Sequence, residues 1–248
     1  RRGGKLHEQR FARGLATSGV EVVGVARGTG TEIFFRPDTQ IFEDTEFDAE
    51  LIARDLEIKS YLHQGLRLGF RDRTQDKYYE FKHENGIVDF LDTLLKQSKE
   101  APIHTDPIVL RQEDVDDDEV VRIEIALQWS EDTRDDIRTF ANGVHTEDGG
   151  THELGFRDAL NKALRSYFDT HDCVPKGINI SPEDIREGVK AVVSIFLREP
   201  QYQGQTKAKL NNPGVRSAVS NALRHALEHH LHTHSSTGNA IAQRIIQA

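Results

Sequence analysis

The chain has 248 residues, of which 36% are hydrophobic and 29% are charged, and its formal net charge is −9. This composition can form a hydrophobic core, and no stretch approaches the roughly 18 apolar residues of a membrane-spanning helix, so we expect neither disorder nor a membrane partner. The single cysteine, Cys173, excludes an internal disulfide and a cysteine-rich zinc site and is typical of a cytoplasmic protein. The negative charge excludes a basic nucleic-acid coat, so any DNA contact must be local or made through a partner.

The first third of the chain predicts a twisted antiparallel sheet that carries a helix. Extended runs separated by glycine-rich turns lie at residues 5–10, 20–25 and 31–35. A helix follows Asp48, whose carboxylate can accept hydrogen bonds from first-turn amides, and Gly65 stops it. Residues 66–70 and 78–81 then alternate like a hairpin.

Beyond about residue 84, strands and helices alternate. Strands are predicted at residues 108–110, 120–129, 137–144 and 189–197. Helices are predicted at residues 87–95, after a cap at Thr151, after Ser181, and at residues 213–231 and 237–246. This succession predicts an α+β domain with helices on one face of a sheet.

The segment of residues 201–210, QYQGQTKAKL, follows an apolar strand and combines a glycine with amide, hydroxyl and lysine side chains. Lysine supplies a point charge and Gln and Thr supply donors, so the loop could reach a phosphate. An ordinary polar surface loop explains the same residues, and physics alone favours that explanation.

Two further segments have both a functional and a structural explanation. In residues 28–35 the glycines permit close approach of a ligand, and the Thr31 hydroxyl could bind a base edge. A tight turn without any ligand explains the same residues. In residues 148–157 a helix start after two glycines could bind an anion. Arg157, Asn161 and Arg165 follow on one helical stripe, which could touch phosphates or simply face solvent.

Two clusters of potential metal ligands are expected to hold no native metal. Residues 113–119 contain six acids in seven positions but lack the glycine and spacing of a calcium loop. The histidines between His225 and His234 include i, i+4 pairs that could bind zinc, but the HExxH pattern is absent. For residues 113–119 we predict a solvated hairpin tip.

These segments occur in an order that identifies a family. Residues 28–37, 47–65, 148–157 (DGGTHELGFR), 186–188 and 199–210 (EPQYQGQTKAKL) resemble the B subunits of bacterial type II DNA topoisomerases, along essentially the whole chain. The stretches TGTEIFFRPDTQIFEDTEFD and ALQWSED resemble DNA gyrase more than its paralogue topoisomerase IV. A MutL-type mismatch-repair ATPase shares the nucleotide fold, but the QTK and GGTH segments favour the topoisomerase.

The resemblance implies a two-part fold and a nucleotide site. Residues 1–85 would end a GHKL-type ATPase sandwich, and residues 86–248 would form a transducer domain with a ribosomal-protein-like βαβ fold. Lys207 would be the catalytic residue that touches the ATP γ-phosphate, with Gln205 beside it, and Thr31 would hold the adenine through water. Arg157, with Arg165 on its stripe, would face the cavity through which DNA passes.

The chain departs from the family pattern in one respect. The sequence lacks three motifs of the family, namely a helix with a Glu and an Asn, a DxGxG turn and a glycine-rich lid. It also begins at Arg1 and contains no methionine. We therefore expect a fragment that is inactive alone or acts as an interaction or DNA-contact module. In the full-length protein we expect ATP and Mg²⁺ as cofactors, with the metal ligand outside this chain. DNA, the gyrase A subunit and a second copy of the gyrase B protein are the expected partners.

Overall fold

A computed structural model describes residues 1–113 and 120–248 of the chain. The chain forms two compact units, Arg1–Ile52 and Ala53–Ala248. Apart from Glu113, the predicted acidic hairpin tip lies outside the described residues. Among the described residues, each helix is too short or too polar to cross a membrane.

The first unit consists of short antiparallel ribbons. Strand β1 (Lys5–Glu8) pairs with β4 (Glu21–Val25), and β2 (Phe11–Ala12) pairs with β3 (Leu15–Ala16). The predicted strands at residues 5–10 and 20–25 are thus confirmed. The predicted strand at residues 31–35 is wrong, because this run pairs with no described strand and leaves Ile33 82% exposed. A strand persists only where a neighbour accepts and donates its backbone hydrogen bonds.

Helix α1 (Ala49–Leu62) begins and ends as its sequence predicts. The Asp48 carboxylate accepts hydrogen bonds from the amides of Glu50 and Leu51, both at 3.0 Å, which satisfies two of the free first-turn donors. Beyond the helix, Gly65 has a φ of 76°, a conformation that favours glycine. The predicted hairpin follows as β5 (Leu68–Asp72) and β6 (Lys77–Phe81), which pair antiparallel.

A mixed five-stranded sheet forms the centre of the second unit. Its strands are β7 (Ile108–Glu113), β8 (Val120–Trp129), β9 (Asp136–Ala141), β10 (Val144–His145) and β11 (Val189–Leu197), in the order β10-β9-β11-β8-β7. Strand β11 runs antiparallel to β8 and parallel to β9. Between β9 and β11 the chain passes through helices α3 (Thr151–His171) and α4 (Pro182–Arg186), so the α+β class and its βαβ unit are confirmed.

Helices cover both faces of this sheet, and the prediction of helices on one face is wrong. Successive side chains of a strand point to opposite faces. Val193 packs in the core that includes α3, α5 (Pro213–Thr233) and α6 (Ser235–Gln247). Its neighbour Val192 packs in a second core with Phe90 of α2 (Ile87–Ser98) and Leu62 of α1. The near-continuous apolar run of β11 is the signature of a strand buried on both sides.

Two local predictions on this sheet also need correction. Residues 137–144 form two strands rather than one, because Asn142 and Gly143 adopt positive φ values of 50° and 73° and turn the chain between β9 and β10. Thr151 is the first residue of α3, and Gly150 takes the cap position without a side-chain cap. By contrast, the predicted start of α4 is confirmed, since Ser181 and Asp184 form a reciprocal capping box.

Candidate functional site

A short hairpin carries Lys207 and Gln205. Strands β12 (Tyr202–Gln203) and β13 (Lys209–Leu210) pair antiparallel, and residues 204–207 between them form an exposed tip. Lys207 adopts a φ of 58°, and its Nζ lies 5.7 Å from the centroid of the Tyr202 ring. The side chains of Gln205 and Lys207 both reach solvent, so the tip offers an ammonium group and an amide to an external anion.

The base of this hairpin is fixed by hydrogen bonds at both ends. The Asn212 side-chain oxygen accepts from the Gln201 amide at 2.7 Å, and its Nδ2 donates to the Glu199 carbonyl oxygen at 3.0 Å. The Tyr202 hydroxyl donates to the Ala141 carbonyl oxygen at 2.9 Å. A hairpin of two-residue strands is marginal by itself, so these anchors determine where its tip lies.

The glycine turn that precedes α3 is joined to the same hairpin. The Asp148 amide donates to the Ala208 carbonyl oxygen at 2.9 Å, and the Leu210 amide donates to the Gly149 carbonyl oxygen at 3.0 Å. A Cβ atom on Gly150, whose φ is 136°, would lie 2.6 Å from the Leu210 amide nitrogen. The structure thus brings together two of the segments singled out in the sequence, residues 148–157 and 201–210.

Sequence reasoning missed a buried histidine beneath this turn. His152 is fully buried, and its Nε2 lies 3.0 Å from the Thr146 Oγ1. The Thr146 hydroxyl in turn donates to the Thr139 carbonyl oxygen of β9 at 2.9 Å. Burial lowers the pKa of His152 to about 4, so the imidazole is neutral at pH 7. Its only sequence signal is its place directly after a glycine pair and a threonine.

The arginines of α3 are engaged within the protein. The Arg157 guanidinium pairs with Glu153 Oε1 at 2.6 Å and approaches Asp135 Oδ2 at 3.8 Å. Arg165 donates to the Ile180 carbonyl oxygen at 2.9 Å. Both side chains keep part of their surface in solvent, but the predicted stripe is not a row of unpaired cations.

Thr31 lies in the first compact unit. It is exposed and follows Gly30, whose amide donates to the Arg1 carbonyl oxygen at 3.1 Å, while the Arg1 amino group donates to the Gly30 carbonyl oxygen at 2.8 Å. Gly28 has a φ of 72°, which fits the predicted turn.

Two histidines near the end of α5 stack on other histidine rings, His230 on His234 just after the helix and His232 on His171 of α3. The ring centroids of His230 and His234 are 4.3 Å apart, and those of His171 and His232 are 5.5 Å apart. Within residues 1–113 and 120–248, no group of three or more His, Cys, Asp or Glu side chains is arranged to hold a metal ion.

A family model described as DNA gyrase B matches residues 86–248, which is more than half of the chain. The chain belongs to the DNA gyrase B family. The resemblance stated from the sequence is thereby confirmed. The DNA gyrase B protein of Eisenibacter elegans is 37% identical over 254 residues, covering 100% of this chain and 52% of that protein.

A second DNA gyrase B protein also matches most of the chain. The DNA gyrase B protein of Thermotoga maritima is 37% identical over 223 residues, covering 88% of this chain and 35% of that protein. The chain thus spans between 35% and 52% of the length of these two relatives.

Solved structures of related proteins confirm the fold class. The 43K ATPase domain of Thermus thermophilus gyrase B, solved with an aminocoumarin, superposes with a TM-score of 0.81 at 31% identity, covering 99% of this chain and 66% of that one. The topoisomerase IV ATP-binding domain of Francisella tularensis, solved with a small-molecule inhibitor, has a TM-score of 0.79 at 21% identity and supports the fold alone. It covers 100% of this chain and 66% of that one.

Proposed function

We propose that this chain is the part of a gyrase B protein that couples ATP binding and hydrolysis to closure of a DNA gate and to negative supercoiling. Residues 1–85 belong to the GHKL ATPase domain and residues 86–248 form the transducer. The family match that begins at residue 86 supports this division. The observation that carries the proposal is the anchored hairpin that presents Lys207 to solvent.

Lys207 is the proposed sensor of the nucleotide. Its exposed ammonium group fits a terminal phosphate, which supplies negative charge and acceptor oxygens when ATP is bound, and Gln205 adds a donor on the same tip. Thr31 holds the adenine through water in this proposal. A charge-assisted hydrogen bond contributes about 1.5–3 kcal/mol. Since Lys207 loses this contact when the γ-phosphate leaves, the contact biases the protein towards its closed state only while ATP persists.

In this proposal the described residues supply only part of the ATPase site. We assign no Mg²⁺ ligand and no general base to the described residues, and we place both elsewhere in the full-length protein. The isolated chain is accordingly proposed to lack ATPase activity. A titration with a non-hydrolysable ATP analogue separates a nucleotide-binding chain from a pure interaction module.

DNA, the gyrase A subunit and a second copy of the gyrase B protein are the proposed partners, in the cytoplasm. Arg157 and Arg165 are the proposed contacts to the transported DNA, although both already serve internal partners. In this proposal each replacement by Ala lowers DNA-stimulated ATP turnover and reduces the salt dependence of DNA binding. Topoisomerase IV is the alternative activity, and it would show as efficient decatenation without negative supercoiling.

The test compares two variants of Lys207 with a control two residues away, in the full-length gyrase B protein assembled with gyrase A. Lys207→Ala is expected to lower ATP turnover by about 10- to 100-fold, which corresponds to one charge-assisted hydrogen bond. Lys207→Arg also loses activity, because the planar guanidinium group of arginine does not replace the compact ammonium group of lysine. Lys209→Ala, at the exposed first residue of β13, retains it. Normal turnover in a folded Lys207→Ala protein contradicts the proposal.

A further inference from the structure

The turn between β9 and β10 is held from two sides within the second unit. On one side, the Lys59 Nζ of α1 donates a hydrogen bond to the Gly143 carbonyl oxygen. The His63 ring of the chain segment after α1 lies so close that a Cβ on Gly143 would be 3.3 Å from its Nε2. The turn is therefore in direct contact with the C-terminal end of α1.

On its other side, the turn anchors the chain that leads into the Lys207 hairpin. The Asn142 Nδ2 donates to the Leu197 carbonyl oxygen at 3.0 Å, and the Leu197 amide donates to the Asn142 Oδ1 at 2.7 Å. Asn142 thus clamps both backbone groups of the last residue of β11. The preceding residue, Ala141, accepts the hydrogen bond of the Tyr202 hydroxyl at 2.9 Å.

Tyr202 connects this turn to Lys207. Its ring lies 5.7 Å from the Lys207 Nζ while its hydroxyl is bound at the turn, so one side chain spans the distance between them. Burial raises the pKa of the Tyr202 phenol, which keeps the hydroxyl protonated and able to donate at neutral pH. The positive φ of Lys207 adds a backbone constraint at the tip itself.

We propose that Tyr202 and Asn142 are positioning residues, which fix the Lys207 hairpin to the turn that α1 also contacts and so determine where the Lys207 ammonium group meets the nucleotide. This inference rests on the proposed role of Lys207. Without the anchor, the two-residue strands leave the tip free to occupy several orientations, and only a fraction of them place Lys207 correctly. Loss of the anchor is therefore expected to weaken binding only of nucleotides that carry a γ-phosphate.

The experiment uses the full-length gyrase B protein with gyrase A, and it compares variants that remove one contact each. Tyr202→Phe keeps the ring and removes the hydroxyl, and Asn142→Gly removes the clamp while tolerating the positive φ. Tyr78→Phe is the matched control, because it removes the hydroxyl of an exposed tyrosine on a different hairpin. The affinities for a non-hydrolysable ATP analogue and for ADP, the kcat and KM for ATP, and the Tm are measured for each.

Loss of one hydrogen bond is expected to weaken binding of the ATP analogue by about fivefold in Tyr202→Phe. ADP affinity and Tm stay near those of the wild type, and Tyr78→Phe changes nothing. In a Lys207→Ala background, adding Tyr202→Phe causes no further loss, because both act on one contact. The positioning role is overturned if the affinity losses of Tyr202→Phe and Lys207→Ala add in the double variant. It is also overturned if Tyr202→Phe weakens binding of ADP and of the ATP analogue equally.

Two outcomes separate this inference from the proposed function. If Lys207→Ala weakens binding of the ATP analogue but neither Tyr202→Phe nor Asn142→Gly does, the positioning role fails and the function of Lys207 stands. If Lys207→Ala itself leaves ATP-analogue binding unchanged, the proposed function fails and the positioning role fails with it. A lowered Tm without any difference between ATP analogue and ADP shows a purely structural role.

Discussion

His152 and Thr146 share a hydrogen bond beneath the turn that leads into α3, with 3.0 Å between the imidazole Nε2 and the threonine Oγ1. Because the Thr146 hydroxyl donates to the Thr139 carbonyl oxygen, it accepts from an Nε2–H group of the neutral imidazole. The Nδ1 atom is buried and has no partner among the described residues. A proton on Nδ1 would therefore place an unpaired charge in the interior.

We expect the neutral His152 to make the fold sensitive to acid. Its folded pKa of about 4 lies below the unfolded value of about 6.5, so the unfolded state binds a proton that the folded state does not. The associated stability is present above pH 6.5 and is lost as the pH falls towards 4, by about 2–3 kcal/mol at pH 4.5. Urea unfolding of the wild type and His152→Gln at pH 7.5 and 4.5 measures this difference.

The exposed His225 of α5 provides the control for the acid experiment. His225→Gln is expected to follow the wild type at both pH values, whereas His152→Gln shows a smaller loss of stability on acidification. Parallel curves for His152→Gln and the wild type would show that this imidazole does not remain neutral in the fold.

Gly150 and Gly177 both adopt positive φ values, of 136° and 91°, but only Gly150 lies against another strand. Gly150→Ala is expected to destabilise the protein by about 3 kcal/mol or more, because strained backbone and a collision with the Leu210 backbone add together. Gly177→Ala is expected to add backbone strain alone, about 1 kcal/mol, since apart from its chain neighbours no described residue has an atom within 4 Å of the Cβ position. Thermal unfolding measures the stability of both variants, and equal losses of stability in the two would exclude the close approach of Gly150 to Leu210.

Local chemistry made several elements of the fold predictable. Asp48 and Ser181 accept first-turn amides, and such caps act through residues two or three positions away. The long apolar run of β11 is likewise a local signal. The failures depend on distant partners. The run at residues 31–35 has the composition of a strand but no described neighbour. The apolar run of β11 indicates burial on both faces, but no local signal shows that α2 is the helix that covers the second face.

The candidate site was predictable only in part for the same reason. The composition of residues 201–210 allowed a phosphate-binding loop but favoured an ordinary polar one, and the anchoring of this loop depends on Ala141 and Gly149, which are distant in sequence. The spacing of Arg157 and Arg165 predicted one helical stripe, and Glu153 is a local partner of Arg157, four residues before it on α3. The contacts with Asp135 and the Ile180 carbonyl oxygen depend on tertiary packing. His152 resembles any other histidine until its burial is known.

A nearly buried ion pair joins β11 to the loop before β9. The Lys190 Nζ lies 2.8 Å from the Asp132 Oδ2 and donates to the Arg134 carbonyl oxygen at 3.1 Å. The two ion-paired side chains are 5% and 14% exposed, respectively. The hydrogen bond from Lys190 is the main cause that lowers the pKa of Asp132, so the stability linked to this carboxylate is present at neutral pH and is lost in acid as it becomes protonated.

Lys190→Met is expected to cost about 3 kcal/mol at pH 7, because it leaves the Asp132 carboxylate without its counter-charge in a largely buried position. Adding Asp132→Asn to Lys190→Met recovers part of this loss, since the remaining side chain is uncharged. Lys176→Met, in an exposed loop, changes the free energy of unfolding by less than about 0.5 kcal/mol. Urea unfolding of these variants, with Asp132→Asn alone and the wild type, gives the coupling energy. If the stability losses of Lys190→Met and Asp132→Asn simply add in the double variant, the two side chains act independently. The pair then does not fix the start of β11 against its neighbouring loop.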